Sequence, residues 1–118
     1  MNILQINHTD VEGERYNGRR LNQYFQSLGH NVSQCVIIKT SSDDISWQLC
    51  NIKPQTRLNL RSAFINIEKY LSIQSLLYPF ALELFTDKRF LKADVVHLHL
   101  IHVQFFSILL LPLISRLK

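Results

Sequence analysis

The first positions of the chain alternate little: Ile3, Leu4 and Ile6 form a short apolar run over Met1 to Ile6, and a polar, glycine-bearing stretch, NHTDVEGERYNGRR, follows. This pattern predicts a strand that empties into a loop. From Arg19 to Leu28 the apolar residues Leu21, Tyr24, Phe25 and Leu28 recur at the spacing of one helical face, and Gly29 supplies a residue suited to a left-handed helix end. The segment Asn31 to Thr40, NVSQCVIIKT, is rich in β-branched residues and predicts a second strand. Strand, helix and strand in this order make a βαβ unit, which favours a parallel sheet with a right-handed crossover.

The middle is less regular. A polar SSDD stretch precedes a short candidate strand around Trp47 to Ile52. Leu60, Phe64, Ile67 and Leu71 then keep one helical face, whereas Ile73, Leu76, Leu77, Phe80 and Leu84 shift the phase around Pro79. Two helices, or one broken helix, are expected between Leu58 and Thr86, because proline cannot continue a helix without losing a hydrogen bond. Ala93 to Leu100, ADVVHLHL, predicts a buried parallel strand. Phe105 to Leu117 is apolar nearly all round and predicts a helix that needs further protein to cover it. The fold class expected from the whole is α/β, a Rossmann-like open parallel sheet flanked by helices.

At 118 residues the chain is expected to be a single domain, with 47% hydrophobic residues to build its core. The net charge is +4, but the basic residues are spread rather than stacked in a tract. That distribution admits peripheral contact with an anionic membrane or a phosphorylated substrate and speaks against a nucleic-acid interface. Cys35 and Cys50 stand at no metal-ligand spacing, and the expected state is free thiols in a reducing, cytoplasmic compartment. The apolar segment near the C-terminus is interrupted and shorter than the roughly 20 residues needed to span a bilayer.

Two places carry candidate chemistry. In the loop after the first strand, Gly13 and Gly18 flank Arg15 and Asn17, and a helix begins at about Arg19. In an open α/β sheet this position faces the crevice above the carboxyl ends of the strands, where backbone amides and the positive helix end can hold a phosphate. The GxGxxG fingerprint is absent, so the same glycines also suit a simple turn. The second place is the group His97, His99 and His102. His97 and His99, two apart on a strand, are expected on one face, with His102 beyond the strand's end. A neutral imidazole there can hydrogen-bond a sugar hydroxyl or act as a base. Zinc would need a further ligand that the spacing does not offer, and no metal is expected.

Four stretches in order, MNILQINHTDVEGERYNGRRL, SLGHNVSQCVIIKTSSDD, IEKYLSIQSLLYPFA and ADVVHLHLIHVQFFSILLLPLISRLK, resemble the N-terminal part of glycosyltransferase family 4. That family has the GT-B arrangement, two Rossmann-like domains facing across a cleft. The resemblance implies retaining transfer of a sugar from a nucleotide-sugar co-substrate to a glycan or lipid-linked acceptor, as in cell-surface polysaccharide synthesis, with no bound cofactor. It implies a cytoplasmic setting, including the inner face of the plasma membrane. Gly13, Asn17 and Gly18 match the loop that lies near the donor phosphates or acceptor, with Arg15 as an anion partner and His102 at the same edge. His99 occupies the position of a functional histidine in some members.

Val103 and Gln104 depart from the small or polar residues expected after IH, and Ile108 to Leu111 is apolar where relatives often break the run. The TLHD-type segment, the donor domain and its glutamate motif have no counterpart in these residues. The expectation is therefore an incomplete acceptor-side domain, inactive alone, with the missing C-terminal half as its partner. The alternatives are a non-catalytic Rossmann-like binding or regulatory module, or a small phosphate- or nucleotide-binding protein.

Overall fold

A computed structural model describes residues 1–11, 18–49, 55–73, 76, 78–99, 101 and 106–118. Strand β1 (Asn2–Thr9) is followed by helix α1 (Arg19–Ser27), strand β2 (Asn31–Ile38) and strand β3 (Ser46–Gln48). Helix α2 (Gln55–Tyr70), a 3₁₀ helix (Pro79–Thr86), helix α3 (Lys88–Lys92) and strand β4 (Val95–Leu98) come next. A second 3₁₀ turn (Ile108–Leu110) runs into helix α4 (Leu111–Leu117).

All strand pairings are parallel, in the order β3-β2-β1-β4. The α/β, Rossmann-like class expected from the sequence is therefore the one observed. Strand β1 runs past the expected Ile6 to Thr9, because its continuation pairs with β2 as far as Ile38. The short third strand lies where a strand was expected, but it is limited to Ser46–Gln48.

Side chains alternate across a strand, so the register sorts them into two unlike faces. Leu4 and Ile6 of β1, Cys35 and Ile37 of β2, and Leu49 just past β3 enter a single apolar core. Tyr78, Ala81, Leu84, Phe90, Ala93, Phe106 and Ile114 close it from the helical side, with Phe85 set edge-on to Phe90 at 5.2 Å between ring centroids. Cys35 is buried here, and Cys50 lies outside the described residues.

Helix α1 covers the other face, against β2. The apolar stripe expected to seat it does so only in part. Leu21 and Phe25 are half-buried, but Tyr24 and Leu28 are 58% and 54% exposed, and the buried residue of the helix is Asn22. The reason is the polar surface beneath: Asn22 Nδ2 donates to Gln34 Oε1 at 2.9 Å. The helix ends as its glycine predicts. Gly29 has φ 79°, its N–H reaches Gln26 O at 2.9 Å, and His30 N reaches Phe25 O at 3.1 Å, the paired bonds of a Schellman turn.

Helix α2 ends at Tyr70, where the phase shift predicted a break, and the second helical segment is a 3₁₀ helix that Pro79 opens. Helix α3 had no clear sequence signal; Asp87 caps it by accepting from Arg89 N at 2.8 Å. The closing segment is helical only from Ile108, with Pro112 in the first turn of α4. Ile114 faces the core while Ile108, Leu109, Leu113 and Leu117 stay exposed, in keeping with the near-continuous apolar run. No helix among the described residues is long and apolar enough to cross a membrane.

Candidate functional site

The chain steps from β1 to β2 on one side, while β4 pairs with β1 on the other. The strand order therefore switches direction between β1 and β4, and in an open parallel sheet the carboxyl ends of two such strands are the usual place for a ligand. His99 immediately follows β4 at this edge, and its N–H bonds Ile6 O of β1 at 2.9 Å. Gly18 opens α1 on the same face.

Beneath that edge, Ser46, Gln34, Gln5 and His97 form one row across all four strands in register. Gln5, Gln34 and Ser46 are buried, as is Asn22 above them. A buried amide must find partners, so this row imposes specific pairings that an apolar row would not. Gln5 Nε2 lies 3.2 Å from His97 Nδ1. The rings of His97 and His99 lie 5.8 Å apart at 48°, on one side of the strand as expected. Nε2 of His99 is closed to solvent and has no hydrogen-bond partner among the described residues. Burial first, and the neighbouring His97 second, push the His99 imidazole below its ordinary proton affinity.

Gly18 caps α1 in the left-handed conformation, φ 77°, without a side-chain cap. No acidic residue occupies the first turn; Arg19 and Arg20 stand there instead, although the positive end of a helix favours an anion. Arg19 is engaged by Asp43 at 3.1 Å. Burial alone would raise the Asp43 carboxyl, but the Ser46 N–H, hydroxyls of Ser41 and Ser46, and the Arg19 charge together hold it below its ordinary value. A cavity of about 30 Å³ between Arg19, Asn22, Gln34, Asp43 and Ser46 has room for one water, and the unpartnered Asn22 Oδ1 adjoins it.

The loop following β1 is anchored by Asp10. Its carboxylate accepts from Thr40 N at 2.9 Å, Thr40 Oγ1 at 2.8 Å, Ser41 N at 3.0 Å and Ser41 Oγ at 2.6 Å. This joins the carboxyl ends of β1 and β2 and fixes where the glycine loop starts.

Of the residues predicted to act, Gly18 and His99 are brought to the same edge of the sheet. Gly13, Arg15, Asn17 and His102 lie outside the described residues. Gln5, Asn22, Gln34 and Asp10 were not foreseen. The signal for Gln5 was the polar residue between Leu4 and Ile6 in a strand due to be buried on both faces. Among the described residues no group of three His, Cys, Asp or Glu side chains is placed to hold a metal ion.

Compared with known protein families, with curated proteins and with solved structures, the chain has no significant match.

Proposed function

We propose that this chain forms the acceptor-side wall of a glycosyl-transfer site of the GT-B kind. In this reading the crevice between β1 and β4 receives the hydroxyl acceptor, a glycan or a lipid-linked sugar, and a nucleotide-sugar donor is held from the opposite side. The observation that carries it is the convergence of Gly18 and His99 on the β1/β4 edge, joined beneath by Gln5 and His97. His99 is suited to accept a hydrogen bond from the acceptor hydroxyl, because burial favours its neutral form. The uncapped, arginine-bearing start of α1 is suited to a donor phosphate.

Titrating the isotope-labelled chain with oligosaccharides, lipid-linked sugars in detergent and UDP- or GDP-sugars tests the reading. The sugar acceptors should perturb the resonances of Gly18 and His99, and His99→Ala should remove that response. An unchanged spectrum at millimolar acceptor of both kinds would sink it.

One observation favours a second reading, a non-catalytic Rossmann-like module: His99 Nε2 is closed to solvent. Under that reading nucleotides bind and sugar acceptors do not, so the same titration separates the two.

A further inference from the structure

Gln5 is an unusual residue at the centre of a parallel sheet. It is 1% exposed, sits on β1 between β2 and β4, and pairs in register with Gln34 on one side and His97 on the other. Parallel strands covered on both faces are ordinarily apolar, as Leu4 and Ile6 beside it are. Its carboxamide has two neighbours of different kinds. On one side, a β-carbon on Gly18 would overlap Nε2, Oε1 and Cδ of Gln5, so the carboxamide would have to move to admit one. On the other, Nε2 approaches His97 Nδ1 at 3.2 Å, while Oε1 has no hydrogen-bond partner among the described residues.

An amide nitrogen donates and cannot accept. At this contact His97 Nδ1 is then the acceptor, and the ring's proton belongs on Nε2. We propose that Gln5 is a positioning residue for the histidine pair: wedged between Gly18 and His97, its carboxamide selects the Nε2–H tautomer of the neutral His97 ring and couples the start of α1 to the histidine edge. His97 in turn forms the wall against which the His99 ring is set, at 5.8 Å between centroids. Displacing Gly18 would displace Gln5, and with it the ring of His97.

This inference rests on reading the β1/β4 crevice as the site, but its test requires neither substrate nor turnover. Long-range nitrogen-15 NMR of the histidine rings in the full chain, at pH 7.5, reports which nitrogen carries each proton. The expected result is a pyridine-like Nδ1 and a pyrrole-like Nε2 for His97; a protonated Nδ1 overturns the proposal. Gln5→Glu supplies a partner that, when ionised, only accepts, so the His97 proton should move to Nδ1 and the two nitrogen signals exchange character. A folded Gln5→Glu chain whose new carboxyl is ionised, as read by carbon-13 NMR, and whose His97 ring is unchanged also overturns it. If that variant does not fold, the wild-type measurement decides alone. Failure of sugars to perturb the crevice would reject the glycosyl-transfer reading and leave the tautomer result standing.

Discussion

Gly18 rests on the carboxamide of Gln5 so closely that no β-carbon fits between them. The other left-handed glycine of α1, Gly29, has open space around it. The two positions therefore separate backbone strain from steric overlap. Gly29→Ala should cost about 1 kcal/mol, the strain of a left-handed alanine. Gly18→Ala should cost about 2–5 kcal/mol, since overpacking adds to the same strain. Urea unfolding of both variants checks this, and equal losses would contradict the close contact.

Asp10 is buried, yet its carboxyl stays ionised. Burial on its own would raise its pKa, but the hydroxyl and N–H of Ser41 and of Thr40 outweigh it and lower the value from 3.8 to about 2. A carboxyl whose folded pKa is depressed adds stability above its unfolded pKa, and that stability is lost as pH falls through the folded value. The contribution, on the order of 2 kcal/mol, should be complete above about pH 4 and should fade between about pH 4 and pH 2. Asp10→Asn should lose a similar amount at pH 7 and flatten the acid limb, as read from unfolding free energy against pH.

His99 acts in the same direction at a higher pH. Its folded proton affinity is depressed by burial and then by His97, so the unfolded chain binds the proton more readily. Stability should fall as pH drops below about 6.5, the ordinary histidine value, and should level off only beneath the folded pKa. His99→Gln cannot titrate and should remove that part of the slope. Melting temperatures between pH 7.5 and pH 5 for the two chains provide the comparison, and parallel curves would contradict a buried neutral imidazole.

Helix α2 ends on a left-handed serine. Ser72 has φ 53°, its N–H reaches Lys69 O at 3.2 Å, and Ile73 N reaches Glu68 O at 3.0 Å. This is the same turn that Gly29 makes for α1, built on a residue that bears the strain of a β-carbon. Ser72→Gly should therefore stabilise the chain by about 0.5–1 kcal/mol, after the larger unfolded-state entropy of glycine is offset. Thermal or urea unfolding reads this directly.

Local sequence carried the elements and their class. Apolar runs marked β1, β2 and β4 as strands, although the edge strand β4, expected to be buried, is only half-buried with Val95 exposed; Gly29 marked the end of α1, and Pro79 the start of the 3₁₀ helix. These are short-range matters of backbone geometry and periodicity, and a single chain position suffices to read them. The two-residue spacing of His97 and His99 likewise placed both rings on one side.

Tertiary pairing alone decided what the polar positions do. Gln5, Gln34, Ser46 and His97 are far apart in sequence, and only the parallel register of four strands sets them in one row. That row rotated the expected face of α1: Asn22 turned inward to Gln34 beside the half-buried Leu21 and Phe25, while Tyr24 and Leu28 stayed in solvent. Periodicity registers which residues are apolar, but a buried amide is stable wherever another chain segment brings it a partner, and that partner has no local signature. For the same reason Gly18 and the pair His97 and His99 read as two separate places in the sequence. Their meeting at the β1/β4 edge depends on strand order, which no neighbouring residue encodes.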